Sequence, residues 1–86
     1  MQFMRGQIVR SAAGRDKGYY LCVVDFTEGI LRLCDGKERP LNRPKSKNIK
    51  HVVDTGKNLT EEQLATDRAI RRALREIAEC SENSKV

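Results

Sequence analysis

The sequence predicts a mainly β protein, a small five-stranded barrel followed by one C-terminal α-helix, and three observations carry that prediction. Residues 7–53 fall into short β-branched and aromatic runs separated by glycine-bearing turns. The chain after Thr60 contains neither glycine nor proline and repeats its apolar positions at helical spacing. At 86 residues there is room for one small core and no second globular unit.

In order, Gln7 to Ser11 alternates polar and β-branched residues and predicts a first strand. Ala12 to Gly18 is a loop punctuated by two glycines, and Tyr19 to Phe26 is a nearly unbroken strand run. Strict alternation puts Tyr20, Cys22, Val24 and Phe26 on one face and Tyr19, Leu21, Val23 and Asp25 on the other. Neither face is clearly solvated, so this strand is expected to be central. Thr27-Glu28-Gly29 turns the chain into a third strand, Ile30 to Cys34, with Leu31 and Leu33 as core candidates. Asp35-Gly36 is a tight-turn pair that would return Glu38 to Leu41 as strand four, demoted to an edge by Pro40. Ile49 to Val53 would be the fifth strand, closing the barrel.

The resulting division is a barrel over 1–54, a hinge over 55–60, a helix over 61–80 and a flexible tail over 81–86. Thr60-Glu61-Glu62-Gln63 has the form of a capping box for the helix. On a 3.6-residue wheel Ala69, Ile70, Ala73, Leu74, Ile77 and Ala78 share one side, and Arg68, Arg71, Arg72 and Arg75 share the opposite one. Glu61 and Glu79 bound that basic stripe and Leu64 intrudes on it. The stripe is either a solvated face or a second contact for an anion, and the alanine-rich side could instead pair with a second copy.

Seventeen Lys and Arg against twelve Asp and Glu leave a formal charge of +5, which favours nucleic acid or an acidic membrane face. The densest cationic run holds Lys37, Arg39, Arg43, Lys45, Lys47 and Lys50 against the single acid Glu38. Ser46 and Asn48 add donors suited to sugar and phosphate oxygens. The loop Gly14-Arg15-Asp16-Lys17-Gly18 offers a planar fork, a mobile point charge and two positions where the backbone can adopt positive φ or approach a ligand. Arg10 would extend that surface, and Asp16 would orient Arg15 or cap the turn. A plain hairpin loop and a solvated linker demand the same residue types. The loop lacks the length and ending of a nucleotide-binding P-loop.

His51 has no acid, cysteine or nucleophile at motif spacing, so no catalytic residue, metal site or cofactor is expected. Cys22, Cys34 and Cys80 show no Cys-x-x-Cys pairing and are expected to be reduced, filling core space. The absence of a leader or a long apolar run points to the cytoplasm, with no membrane partner.

One resemblance goes further than spacing does. Gly6-x-Ile8-Val9-x-Ser11-x-x-Gly14-Arg15-Asp16-Lys17-Gly18 before an apolar strand resembles the KOW motif of ribosomal proteins and transcription elongation factors. Asp35-Gly36-Lys37-x-Arg39 and Arg43-Pro44-Lys45-x-Lys47-Asn48-Ile49-Lys50-His51-Val52 resemble matching segments of one KOW group. That group comprises an archaeal and eukaryotic large-subunit ribosomal protein and the small bacterial RNA-binding proteins similar to it. The resemblance covers residues 6–53 and implies an SH3-like barrel that binds RNA on or near the ribosome; the expected partners are ribosomal RNA and ribosomal proteins, and the expected state is a monomer. The expected phosphate and sugar contacts are Arg10, Arg15, Lys17, Arg39, Arg43, Lys45, Ser46, Lys47, Asn48 and Lys50, with Gly14 and Gly18 as backbone approach points. Arg68, Arg71, Arg72 and Arg75 would make a second contact. The competing expectation is a protein-interaction module docking on a ribosomal or elongation partner.

Overall fold

The computed structural model describes residues 3–83. Five strands form one antiparallel sheet: β1 (Gln7–Ser11), β2 (Tyr20–Thr27), β3 (Ile30–Cys34), β4 (Lys45–Asn48) and β5 (Val52–Asn58). Their order is β4-β3-β2-β1-β5, so β2 is central as expected. A 3₁₀ turn (Ile49–His51) carries the chain from one edge of the sheet to the other, and α1 (Asp67–Asn83) follows. The protein is therefore mainly β, a barrel-like sheet with one C-terminal helix. Among the described residues no helix is long and apolar enough to cross a membrane.

Strand parity sorts the core into two clusters, one on each side of the sheet. Val9, Leu21, Val23, Leu31 and Leu33 fill the concave side with Phe3. Ile8, Cys22 and Cys34 point the other way and are covered by Leu59, Leu64 and the Ile70, Ala73 and Leu74 face of α1. This answers why β2 shows no solvated face: the barrel interior lies on one side and the helix on the other. The expected helical faces hold, with Ile70, Ala73 and Leu74 buried and Arg68, Arg71, Arg72 and Arg75 exposed. Cys22 and Cys34 are free thiols, buried and directly opposite each other across β2 and β3. Hydrogen bonding to Cys34 and burial push the Cys22 thiol up, so it stays protonated. The side chain of Cys80 lies outside what is described.

Strict alternation fails at one point in β2. Val23 pairs with Leu33 and Asp25 with Arg32, so Val24 is an extra residue. The bulge moves Phe26 off the face of Tyr20 and Cys22 and onto the concave side, where its ring meets Phe3 edge-on at 5.9 Å.

Three boundaries differ from expectation. Strand four is not Glu38 to Leu41. Asp35 Oδ1 accepts from the backbone N–H groups of Lys37 (2.8 Å) and Arg39 (2.9 Å), which closes Asp35 to Arg39 into a loop and leaves nothing extended to pair. The strand that returns along β3 is Lys45–Asn48, inside the cationic run. The fifth strand is Val52–Asn58, so most of the expected hinge is sheet. Asp54 accepts from Gly56 N–H (2.9 Å), and the Asp54-Thr55-Gly56 turn forms a bulge opposite Ile8 instead of ending the strand.

The helix also starts later and ends later than 61–80. The capping box at Thr60 and Gln63 forms, with reciprocal bonds of 2.9 and 3.2 Å, yet it closes only one turn. A continuous helix would put Leu64 among the arginines. The chain breaks after it so that Leu64 turns inward, only 2% exposed, and Thr66 then caps α1 through Ala69 N–H at 3.1 Å. Residues 81–83, expected to be tail, continue the helix, and 84–86 lie outside the described residues.

Candidate nucleic-acid interface

The β1–β2 hairpin is tied at its base by Gly18 N–H to Ser11 O (2.8 Å) and Ser11 N–H to Tyr19 O (2.9 Å). Gly14 and Gly18 both take positive φ, +87° and +91°, which is what the sequence asked of them. Asp16 neither orients Arg15 nor merely caps the turn. Its carboxylate accepts from Lys45 Nζ (2.9 Å), Lys47 Nζ (2.8 Å) and the Ser11 hydroxyl (2.7 Å). Lys47 Nζ also donates to Ala13 O at 2.9 Å.

The position of these lysines follows from register. Lys45 and Lys47 pair with Leu33 and Leu31, whose side chains fill the concave side, so the lysine stems run inward and their amines emerge beneath the hairpin. β4 and β5 do not pair with each other, and this ion cluster ties the edge strand β4 to the β1–β2 hairpin. Burial pushes the Asp16 carboxyl up, but the bonds from Lys47, Lys45 and Ser11 outweigh it and hold it well below the usual carboxylate range. The hairpin loop and the lysine strand do converge, and an acid sits at their junction.

The opposite side of the sheet offers a different surface. Arg10 shares parity with Ile8 and pairs with Tyr20, so it points to the helix side of β1, past the end of the covered core. There it lines an open cleft of about 750 Å³ with Gly18, Tyr19, Tyr20, Asp35, Lys37, Arg71 and Arg75. The cleft runs into a groove of about 610 Å³ walled by Lys37, Arg68, Arg71, Arg72 and Arg75 with no acid in its lining. Arg72 and Arg75 make exposed ion pairs with Glu76 (3.7 Å) and Glu79 (3.4 Å), weak by their exposure. Among the described residues no acid pairs with Lys37, Arg68 or Arg71.

The expected contacts therefore divide. Arg10 and Gly18 join the helix stripe along one cleft. Arg15, Lys17, Arg39, Arg43, Ser46 and Lys50 are exposed outside it. Lys45 and Lys47 are committed to Asp16, and Asn48 accepts from Lys50 N–H (2.9 Å) to cap the 3₁₀ turn. Lys37, which opens the cationic run where phosphates are expected, and Tyr19 and Tyr20, at the start of β2, also line the cleft. Parity with Ile8 could have put Arg10 on this side from the sequence, but nothing in the sequence says where α1 crosses the sheet. No protein-family model matches the chain, and no curated protein matches it.

Proposed function

We propose that this chain is a non-enzymatic RNA-binding protein that holds structured RNA through its phosphate backbone. The observation that carries the reading is the acid-free groove of Lys37, Arg68, Arg71, Arg72 and Arg75, continuous with the hairpin cleft at Arg10 and Gly18. Five cationic side chains along one groove match the spaced anions of a nucleic-acid backbone, and guanidinium forks suit phosphate oxygens. The KOW resemblance supports the same reading and extends it to ribosomal RNA and the cytoplasm. In this reading Arg15 and Lys17 add charge beside the cleft, while Lys45 and Lys47 serve the fold first.

The test is titration of a ribosomal RNA hairpin at several salt concentrations against the native chain and an Arg68→Gln/Arg71→Gln variant. Neutralising one phosphate-binding side chain should flatten the log–log salt slope by about one unit. The variant should bind more weakly with a slope lower by about two, while its stability stays within about 0.5 kcal/mol of native. A flat salt response in the native chain, or equal slopes in the two proteins, overturns the reading.

A further inference from the structure

Resting on the RNA reading above, we infer that the cleft between the β1–β2 hairpin and α1 takes one unpaired base stacked on Tyr19. The RNA recognised would then be a helix carrying a bulged or looped-out nucleotide.

Tyr19 is the first observation. It is 61% exposed, the only tyrosine or phenylalanine among the described residues so placed, and it belongs to neither core cluster. A tyrosine that the fold does not use, held at the foot of a tied hairpin, offers a flat face at little cost in ordering. Its neighbour Tyr20 packs against the core beneath α1 and fixes the backbone from which Tyr19 projects.

The cleft supplies the rest. At about 750 Å³ it lies within the size range of small-ligand sites and admits one nucleotide. Arg10, Lys37, Arg71 and Arg75 line it against a single acid, Asp35, which spends Oδ1 on two backbone N–H groups. Lys37, Arg71 and Arg75 also wall the arginine groove, so phosphates on either side of a stacked base would run directly onto it. An aromatic face beside a cationic track is the combination by which proteins hold unstacked nucleotides. A fully paired helix could satisfy the groove but would leave Tyr19 unused.

The chain has no tryptophan, so tyrosine emission reports on Tyr19 and Tyr20 alone. Two RNA hairpins identical except for one unpaired nucleotide are titrated against the native chain, Tyr19→Phe and Tyr19→Ala. The expected result is tighter binding and stronger emission quenching with the bulged hairpin. Tyr19→Ala should lose roughly 5- to 150-fold affinity for the bulged RNA and little for the paired one, and Tyr19→Phe should restore it. Adenosine monophosphate, with one phosphate and no backbone to reach the arginine groove, should bind far more weakly than the bulged hairpin. Equal affinity for the two hairpins in the native chain, an equal loss on both in Tyr19→Ala, or equal affinity for the free nucleotide overturns the inference while leaving backbone binding intact. Failure of both hairpins to bind would remove the RNA reading and this inference together.

Discussion

Asp16 shows how far a single residue's role can lie from its local sequence. Between Arg15 and Lys17 it reads as a turn residue, yet its partners Lys45 and Lys47 stand 29 and 31 positions away. Local pattern reports turn chemistry and is silent about a contact made only when the sheet curls. The side chain is 15% exposed and that of Lys47 only 10%, so the pairing is well screened from water. Asp16→Asn should destabilise the protein by about 2–3 kcal/mol in urea unfolding, because it leaves two ammonium groups facing a neutral amide. The pH dependence has a definite sign. A carboxyl held below its ordinary value of 3.8 stabilises the fold fully above that value and loses the contribution as pH falls below it. Melting temperatures of the two proteins should therefore differ by a constant amount near neutrality and draw progressively together as pH falls below about 4. A gap that persists unchanged at low pH would mean that the native carboxylate is not what the lysines hold.

Among the elements, the strands were legible where alternation and turn chemistry agreed, as in β1 and β3, and the helix was legible in its face more than in its ends. Two of the misread segments share one signal, a glycine close behind an aspartate, that reads locally as a plain turn or a strand end. Asp54-Thr55-Gly56 looks like a hinge and is a bulge in β5, while Asp35-Gly36 looks like a hairpin turn and is a docking loop. Gly36 takes φ +77°, and a Cβ there would collide with the Asp67 carbonyl oxygen and come within 3.0 Å of Arg71 N, both backbone atoms of α1. Leu41 N–H donates to Asp67 Oδ1 at 2.7 Å, fastening the far end of the same loop to the helix start. Gly18 has similar φ, +91°, but nothing stands near its missing Cβ. Gly18→Ala should cost only the left-handed backbone strain, about 1–2 kcal/mol. Gly36→Ala adds a backbone collision, and its loss should exceed that of Gly18→Ala clearly in paired urea titrations. Equal losses would mean that the loop and helix do not approach as closely as described.

For the whole molecule, the division into barrel, hinge and helix that the sequence suggests is not the division the packing makes. The helix is a wall of the core and also the main carrier of the cationic groove, so fold and candidate site share one element. That is why the site was only partly legible: Arg68, Arg71, Arg72 and Arg75 could be read as a stripe, but their neighbours Arg10, Lys37 and Tyr19 become neighbours only when α1 docks. Ile8, Leu64, Ile70 and Leu74 are buried at that junction with Cys22 and Cys34 beneath them. Large apolar side chains contribute about 1.5–3 kcal/mol each when buried, so four of them rival the whole net stability of a small domain, about 5–15 kcal/mol. A chain ending at residue 60 should therefore lose cooperative unfolding, and alkylation of Cys22 and Cys34, mapped by mass spectrometry, should go from protected to rapid. Retention of a cooperative transition with both thiols still protected would show that the sheet stands without its helix. The arginine groove would then be an appendage to the barrel and not a product of its core.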